Sequence, residues 1–265
     1  MKKMKKILAM ALAAVMILSM AACGSNNTDA DTAGTGEEIP TYKVLTNATF
    51  PPFDTIDSET GAVIGFDMDL IAAIGEDQGF KVEFVDMAFE ALIPSIESGN
   101  GDIIAAGMWS GDPERQAKVD FSESYYVDGA ALLVKKDNTS ITGLDGLTSE
   151  HKVATQIATN YADDLNEMVA ENKLGEAVIL DGFDTCVLQV LNGDVDAMMA
   201  GASIVQAYMN QNPDQLKVVG DKNTYEELGF AVQKGNATLL QQINDGLANL
   251  KANGKYDELL DKWFN

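Results

Sequence analysis

Cysteine and histidine are nearly missing from this 265-residue chain, which has two cysteines and one histidine. Cys23 falls in an N-terminal targeting segment, so Cys186 is left without an intramolecular partner and we expect no disulfide. Cys186 lies among apolar residues at helical spacing, where we expect a small buried hydrophobe rather than a nucleophile. His151 lies in a polar turn, without a neighbour that would make it a base. No cluster of His, Cys and carboxylates has metal-site spacing, so we expect no metal, no cofactor and no catalytic residue.

Positive charge is also scarce, with 18 Lys and Arg against 41 Asp and Glu and a net charge of −23. Removing residues 1–22 removes four lysines, so the mature chain would carry (18 − 4) − 41 = −27. A surface this acidic repels nucleic acid and anionic membranes, so we expect neither as a partner of the folded part. The length suffices for one large domain or two small ones.

Residues 1–22 have the pattern of a targeting segment. Four lysines precede an apolar stretch, residues 7–18, that is too short to span a bilayer stably. Ala21 and Ala22 then precede Cys23, and this order resembles a bacterial lipoprotein signal, in which the cysteine becomes the lipidated first residue. We therefore expect an extracytoplasmic protein that reaches the cell membrane only through a lipid anchor on Cys23. An ordinary secretory signal, cleaved nearby, is the alternative.

Residues 23–40 are rich in Ser, Asn, Thr, Gly and acidic residues and show no periodicity, which predicts a flexible tether. Strand and helix patterns then alternate to the C-terminus. The predicted strands are 43–46, 62–64, 81–85, 103–106, 130–134, 152–155, 177–180, 196–200, 216–219 and 228–232. The predicted helices are 67–77, 89–97, one beginning at 112–113, 159–169, 185–191, 203–209, 239–251 and 256–264. This alternation argues for an α/β fold with mainly parallel sheets.

Residues 102–126 predict a buried strand, a tight loop and a helix start. Asp112 is a good N-cap, and Pro113 is favoured at the first helical position. Ser110 then lies in the loop and Arg115 just inside the helix. Ligands bind in the crevice beyond the carboxyl ends of strands in open α/β sheets, and a serine hydroxyl with a guanidinium there suits a carboxylate. The alternative is an arginine on a solvated helix start.

The two halves of the chain resemble each other. Residues 43–50 (KVLTNATF) match 152–159 (KVATQIAT), and residues 99–107 (GNGDIIAAG) match 193–201 (GDVDAMMAG). The repeat predicts two similar βα lobes whose strand-end loops face each other across one cleft. Chance similarity between α/β segments is the alternative.

Several motifs spread over nearly the whole mature chain point to one family. They are residues 47–53 (NATFPPF), 65–70 (GFDMDL), Phe89 with 92–95 (LIPS), 107–108 (GM) with 113–115 (PER), 119–122 (VDFS), 125–126 (YY) and 256–264. Together they are similar to the amino-acid-type, family 3 solute-binding proteins of ABC importers. The resemblance implies a monomeric protein that delivers a small carboxylate-bearing ligand, an amino acid or a related organic acid, to importer permease subunits.

The resemblance also implies a type II periplasmic-binding-protein fold with two lobes. Lobe 1 would comprise residues 41–131 and 231–265, and lobe 2 residues 132–230. Two crossover strands, near 130–135 and 228–233, would join the lobes and let them close around a ligand by hinge bending.

By the same resemblance, twelve residues would bind the ligand. They are Phe50, Phe89, Gly107, Met108, Trp109, Ser110, Arg115, Gln156, Thr159, Asn160, Tyr161 and Gly201. Phe50 and Phe89 would be aromatic walls, or else ordinary core residues. Ser110 and Arg115 would take the α-carboxylate, and the helix start at Thr159 would add backbone N–H groups.

The sequence departs from the family pattern in three places. The run that ends in Trp109 and a serine is one residue longer than usual, and Ala158 stands where glycine is usual. Gly201 stands where the family has an aspartate that pairs with the ligand's α-ammonium. We therefore expect either a ligand without a free ammonium or a substitute acid, such as Asp181 or Asp184. A misalignment of Gly201 is the third alternative.

Two other functions deserve comparison. Some relatives of this fold are dehydratases that act on cyclohexadienyl acids, and such an enzyme needs a general acid or base in the cleft. The candidates Asp112 and Asp184 are better explained as helix N-caps, so we expect no enzyme. A ligand-sensing domain would need a transmembrane or signalling segment, and none follows Asn265 in this sequence.

Overall fold

The computed structural model describes residues 38–220 and 226–265. The predicted signal peptide, Cys23 and nearly all of the predicted tether lie outside these residues. The strands are β1 (Thr41–Thr46), β2 (Thr49–Phe50), β3 (Asp54–Ile56), β4 (Val63–Ile64), β5 (Lys81–Asp86), β6 (Ile103–Ile104), β7 (Val119–Phe121), β8 (Tyr126–Asp128), β9 (Ala130–Lys135), β10 (Lys152–Gln156), β11 (Glu176–Leu180), β12 (Ala197–Gly201), β13 (Leu216–Val219), β14 (Glu226–Leu228) and β15 (Ala231–Gln233). The helices are α1 (Phe66–Gln78), α2 (Leu92–Glu97), α3 (Pro113–Lys118), α4 (Asn160–Ala170), α5 (Phe183–Asn192), α6 (Ala202–Gln211), α7 (Ala237–Asn253) and α8 (Lys255–Phe264).

Two five-stranded sheets form the frame, and the α/β class with two lobes is confirmed. Their strand orders are β5-β1-β6-β15-β7 in lobe 1 and β11-β10-β12-β9-β13 in lobe 2. The first two pairings of each sheet are parallel and the last two are antiparallel. The expectation of mainly parallel sheets is therefore wrong, because in each sheet a strand that arrives from the other lobe runs against its neighbours.

The internal repeat is confirmed by matching strand pairings and hydrogen bonds. Asp102 Oδ2 accepts from the Lys43 backbone N–H at 2.8 Å, just before β6. Asp196 Oδ2 accepts from the Lys152 backbone N–H at 2.8 Å, just before β12. Both pairs occupy equivalent positions of the two repeats, and the parallel registers of β1 with β6 and of β10 with β12 agree.

The lobes are joined by β8 and β14, which pair with each other in an antiparallel ribbon. Asp128 on β8 lies opposite Glu226 on β14. The predicted crossovers, near 130–135 and 228–233, are therefore misplaced, since β9 lies wholly in the lobe 2 sheet and β15 in the lobe 1 sheet. The lobe boundaries at 131/132 and 230/231 stay a prediction, and the pairings favour moving them into the ribbon.

The core of lobe 1 forms around α1, as the helical pattern predicts. Leu70, Ile71 and Ile74 are fully buried, and the C-terminal helices α7 and α8 return to pack on α1.

In lobe 2, Cys186 is a free, fully buried cysteine on α5. Burial raises the pKa of its thiol to about 12, so it stays protonated and acts as the small hydrophobe that we predicted. No helix within residues 38–220 and 226–265 is both long and apolar enough to cross a membrane.

Two predicted elements differ in detail. The predicted helix at 89–97 is a 3₁₀ turn, Phe89–Ala91, followed by α2. The predicted strand at 228–232 is divided between β14 and β15, because Gly229 and Phe230 pass from the ribbon into the lobe 1 sheet and bond to Met108 and Ser122 on the way.

Candidate ligand-binding site

A small cavity lies between the lobes, beside the β8–β14 ribbon, and has a volume of about 20 Å³. It is lined by Phe50, Phe89, Gly107, Trp109, Arg115, Gln156, Thr159, Asn160, Tyr161 and Glu226. The first five come from lobe 1 and the next four from lobe 2, and all nine are among the residues predicted from sequence. The volume suits about one water molecule, so a larger solute enters only when the lobes separate.

Arg115 is the only arginine of the chain and is 7 % exposed. Asp112 caps α3, as predicted, because its Oδ1 accepts from the backbone N–H groups of Glu114 and Arg115 at 2.7 and 3.3 Å. The second oxygen of Asp112 pairs with Arg115 Nε at 3.3 Å. The cap therefore fixes both the helix and the direction of the guanidinium.

The guanidinium of Arg115 bridges the two lobes. Nη1 donates to the Trp109 carbonyl at 3.3 Å, and Nη2 donates across the cleft to the Ala158 carbonyl at 2.9 Å. Burial lowers the pKa of Arg115, and the nearby carboxylates of Asp112, Asp163 and Glu226 oppose that shift. An arginine stays protonated through such a shift, so the cavity holds a permanent positive charge.

Aromatic rings cover the lobe 1 side of the cavity. The Phe89 ring lies under the Arg115 guanidinium at 5.6 Å, in cation–π contact. Phe50 packs across the cleft on Phe183, with ring centroids 5.3 Å apart. Gly107 makes room for this ring, since its φ is +53° and a Cβ there would lie 2.2 Å from Phe50 Cε1. A larger residue at position 107 would displace the aromatic wall.

The lobe 2 side is built on the turn from β10 into α4. Thr159 is the N-cap of α4, where its Oγ1 accepts from the Ala162 N–H at 3.3 Å. Ala158 holds φ at +60°, the left-handed region that favours glycine, which explains why glycine is usual at this place. Gln156 donates to Asn47 Oδ1 at 2.7 Å across the cleft. The turn therefore aims the first backbone N–H groups of α4 toward the cavity.

Glu226 is the residue at this site that sequence reasoning missed. It lies on β14 and is 6 % exposed, and it accepts from Asn160 Nδ2 at 2.8 Å and from the Tyr161 hydroxyl at 2.5 Å. Burial raises the pKa of its carboxyl, and the two hydrogen bonds partly oppose the shift. The available signal was a pair of acids, Glu226 and Glu227, directly before the strand that returns to lobe 1.

Three predicted residues do not line the cavity. Met108 is buried in the lobe 1 core. Ser110 donates its hydroxyl hydrogen to the Glu227 carbonyl at 2.9 Å, so it faces β14, and its partnership with a ligand carboxylate stays a prediction. Gly201 ends β12, and a Cβ there would lie 2.7 Å from Asp128 Oδ2. The three residues serve packing and loop geometry here.

The two acids that we considered as substitutes for a residue at 201 lie outside the cavity lining. Asp181 and Asp184 are exposed. We expected Asp184 to be the N-cap of α5, and this is wrong. The helix begins at Phe183, two residues earlier than predicted, with Gly182 as its N-cap. The Asp184 carboxylate accepts from the Thr185 backbone N–H at 2.8 Å, within the first turn.

A larger cavity, of about 290 Å³, lies between α6 and α8. The residues that line it, among them Tyr126, Ser203 and Trp263, carry no charge within the described part of the chain. The opposite charges of Arg115 and Glu226, which both line the smaller cavity between the lobes, therefore mark that cavity as the candidate site.

The profile of the bacterial extracellular solute-binding proteins, family 3, matches residues 42–265. The chain belongs to this family. A probable histidine-binding protein of Neisseria gonorrhoeae is 30% identical to this solute-binding protein over 264 residues, which cover 98% of the chain and 96% of that protein.

Solved structures agree with the two-lobed fold. An ancestral arginine-binding protein bound to arginine is 38% identical, with a TM-score of 0.80, and covers 85% of this chain and 98% of its own. The same kind of ancestral protein was also solved with glutamine, at 39% identity and a TM-score of 0.79, covering 84% of this chain and 97% of its own. An ancestral amino-acid-binding protein described as a precursor of cyclohexadienyl dehydratase is 36% identical, with a TM-score of 0.76. The match covers 85% of this chain and 96% of that protein. The family 3 protein is thus an extracytoplasmic solute-binding protein of the ABC-import type.

Proposed function

We propose that this solute-binding protein carries a free α-amino acid to the permease subunits of an ABC importer, with Arg115 binding the ligand's carboxylate. The observation that supports this most directly is the burial of the chain's one arginine in the cavity between the lobes. Three of its five N–H groups have partners among the described residues. Two N–H groups are then available to a carboxylate, whose fork-like geometry they match.

The start of α4 supports the same assignment. The first backbone N–H groups of a helix have no partner within the helix and carry a partial positive charge. Thr159 and Asn160 place this end of α4 on the cavity, opposite Arg115. A carboxylate between the two would be bound by both lobes at once, which couples binding to lobe closure.

The test is a thermal-shift panel of the twenty L-amino acids, run in parallel on the wild type and on Arg115→Met. Binding raises the unfolding temperature by mass action. We expect one group of chemically related amino acids to stabilise the wild type and to lose this effect in Arg115→Met. A panel in which no amino acid shifts the wild type would refute the proposed function.

A dehydratase-like activity is the second candidate. It is favoured by the similarity to the precursor of cyclohexadienyl dehydratase and by Glu226, a cavity carboxyl whose pKa burial raises toward the range of a general acid. Incubation of the protein with prephenate or arogenate, followed by NMR, separates the two. Turnover would establish the enzyme, and unchanged substrate spectra would leave the transport function.

The lipid anchor and the monomeric state are also part of the proposal. The anchor rests on the lipoprotein-like order of residues 1–23, and the monomeric state rests on the family resemblance. Expression of the full chain in a Gram-positive host, with Cys23→Ser as the control, tests the anchor. We expect the wild type in the membrane fraction and the variant in the medium, while equal partitioning would contradict lipidation. Light scattering of Cys23→Ser measures its molar mass and so tests the monomeric state.

A further inference from the structure

The space beside Gly201 is already filled by a carboxylate. A Cβ on Gly201 would lie 2.7 Å from Asp128 Oδ2 and 3.3 Å from the Tyr161 hydroxyl. Asp128 is 6 % exposed, and its carboxylate accepts from the Ser203 backbone N–H at 3.2 Å. An acidic side chain at position 201 would have to displace the Asp128 carboxylate, and its absence is matched by this acid, which enters from β8.

A second acid, Glu226, stands opposite Asp128 across the ribbon, and this one lines the cavity. Its two carboxylate oxygens can accept about four hydrogen bonds. Asn160 and Tyr161 supply two of them and fix the carboxylate against the start of α4. The remaining acceptor capacity is available to a cation in the cavity.

We propose that Glu226 accepts the α-ammonium of the ligand, in place of the acid that Gly201 lacks. This inference rests on the proposed function, because it requires that the ligand's carboxylate lies on Arg115. The ion pair that Arg115 makes is with Asp112 and not with Glu226. The two N–H groups of Arg115 that have no partner among the described residues are then open to the ligand's carboxylate, and the remaining acceptor sites of Glu226 are open to its ammonium. The carboxylate and the ammonium of an α-amino acid are one carbon apart, and two opposite charges on one small cavity suit that arrangement.

The two charged residues of the cavity lining also limit which side chain the ligand can have. Among the described residues that line the cavity, Arg115 and Glu226 are the charged ones, and the others are aromatic, small or neutral polar. Once the zwitterion uses both charges, a charged ligand side chain would be buried without a partner, which costs several kcal/mol. The ligand is therefore an α-amino acid with a neutral side chain.

Calorimetry on matched ligands tests this inference. The probes are L-glutamine with 4-carbamoylbutanoate and L-phenylalanine with 3-phenylpropanoate, where each second compound lacks only the ammonium. The proteins are the wild type, Glu226→Gln and the matched control Glu227→Gln. Glu227 is the adjacent residue and is exposed, so its substitution changes the net charge equally without touching the cavity.

We expect the wild type to bind at least one of the two amino acids and to bind its deaminated partner at least about tenfold more weakly, the scale of a lost charge-assisted hydrogen bond. Glu226→Gln should lose this preference, and Glu227→Gln should keep it. A preference that survives in Glu226→Gln, a deaminated analogue that binds the wild type as tightly as the amino acid, or a wild type that binds only charged amino acids would overturn the inference and leave the proposed function standing. If the amino-acid panel also shows no ligand, the proposed function itself fails.

Discussion

Gln156 donates to the side chain of Asn47 at 2.7 Å, and the two residues occupy the same position in the two halves of the repeat. Gln156 ends β10 and Asn47 directly follows β1, which are equivalent strands of the two repeats. Asn47 is held by its own bonds, to the Met87 carbonyl at 2.9 Å and from the Thr49 hydroxyl at 2.8 Å. The lobes therefore meet through equivalent strand-end loops, as the repeat predicts, and contacts within the protein contribute to closure.

Another bond between the lobes lies outside the cavity and tests this contribution. Tyr208 on α6 donates its hydroxyl hydrogen to the Thr49 carbonyl at 2.8 Å. Tyr208→Phe should weaken ligand binding by about 0.5–1.5 kcal/mol, the net value of one hydrogen bond, because only the closed form contains it. Calorimetry measures the loss. Tyr256→Phe removes a bond within lobe 1, to the Tyr125 carbonyl, and should leave affinity unchanged. Equal effects of the two variants would contradict a role in closure.

Ligand binding should make the protein more compact. The cavity of about 20 Å³ is too small for an amino acid, so the lobes must open on the β8–β14 ribbon to admit one and close around it. Small-angle X-ray scattering with and without saturating ligand measures the change. We expect a smaller radius of gyration with ligand, and an identical profile at saturation would contradict hinge closure.

Asp67 should make stability fall as the pH rises. Burial raises its pKa from 3.8 to about 7, although the Gly107 N–H and the Tyr125 hydroxyl donate to its Oδ2. Between about pH 4 and pH 7 the native state then binds more protons at Asp67 than the unfolded state does, so the contribution of Asp67 to the free energy of unfolding decreases across this window. Asp67→Asn keeps an acceptor and removes the charge. Its stability relative to wild type, from denaturant unfolding, should rise from pH 4 to pH 7.

Asp67→Ala is the control for that experiment. Relative to Asp67→Asn, it strands the Gly107 N–H and the Tyr125 hydroxyl, which should cost about 1–3 kcal/mol at every pH because neither variant titrates at this position. A stability difference between Asp67→Asn and wild type that stays constant over this pH range would show that the pKa of Asp67 is not raised.

Restoring an acid at position 201 should harm the protein. In Gly201→Asp the new Cβ would collide with the Asp128 carboxylate and with Ile204 Cδ1, which lie 2.7 and 2.6 Å from its position. We expect a lower unfolding temperature and weaker ligand binding. The double variant Gly201→Asp, Asp128→Ala removes one collision and the like charge, so it should recover part of both. If Gly201→Asp binds better than wild type, Asp128 does not fill this place.

Much of this fold follows from local sequence patterns. The two β-α repeats, the N-caps Asp112 and Thr159, and the apolar face of α1 depend on residues close together in the chain, and the structure has each of them. The ribbon was predicted only by resemblance and was misplaced by a few residues, because β8 and β14 have three residues each and no periodicity of their own. Their pairing depends on residues about a hundred positions apart.

The candidate site also contains residues that the sequence predicted and one that only the folded chain reveals. Phe50, Gln156 and Thr159 directly follow or end strands, where a sequence pattern predicts a crevice, and they do line the cavity. Glu226 was missed because a pair of acids before a strand does not show which of the two turns inward, and its place on the cavity lining and its hydrogen bonds with Asn160 and Tyr161 assign it to the site. Ser110 stays a prediction as a carboxylate partner, since the spacing along the loop cannot show which way its hydroxyl turns, and its hydroxyl donates to the Glu227 carbonyl.

The proposed function depends most on Arg115, which we expect to bind the carboxylate of the ligand. The most direct measurement is calorimetry of the best amino acid from the panel and of its α-carboxamide, on wild type, Arg115→Met and Lys118→Met. Lys118 is an exposed cation on the same helix, so its variant controls for net charge. The wild type and Lys118→Met should prefer the carboxylate by about 2–5 kcal/mol, the cost of stranding one partner of a buried charge pair. In Arg115→Met that preference should vanish, and an unchanged preference there would contradict the account.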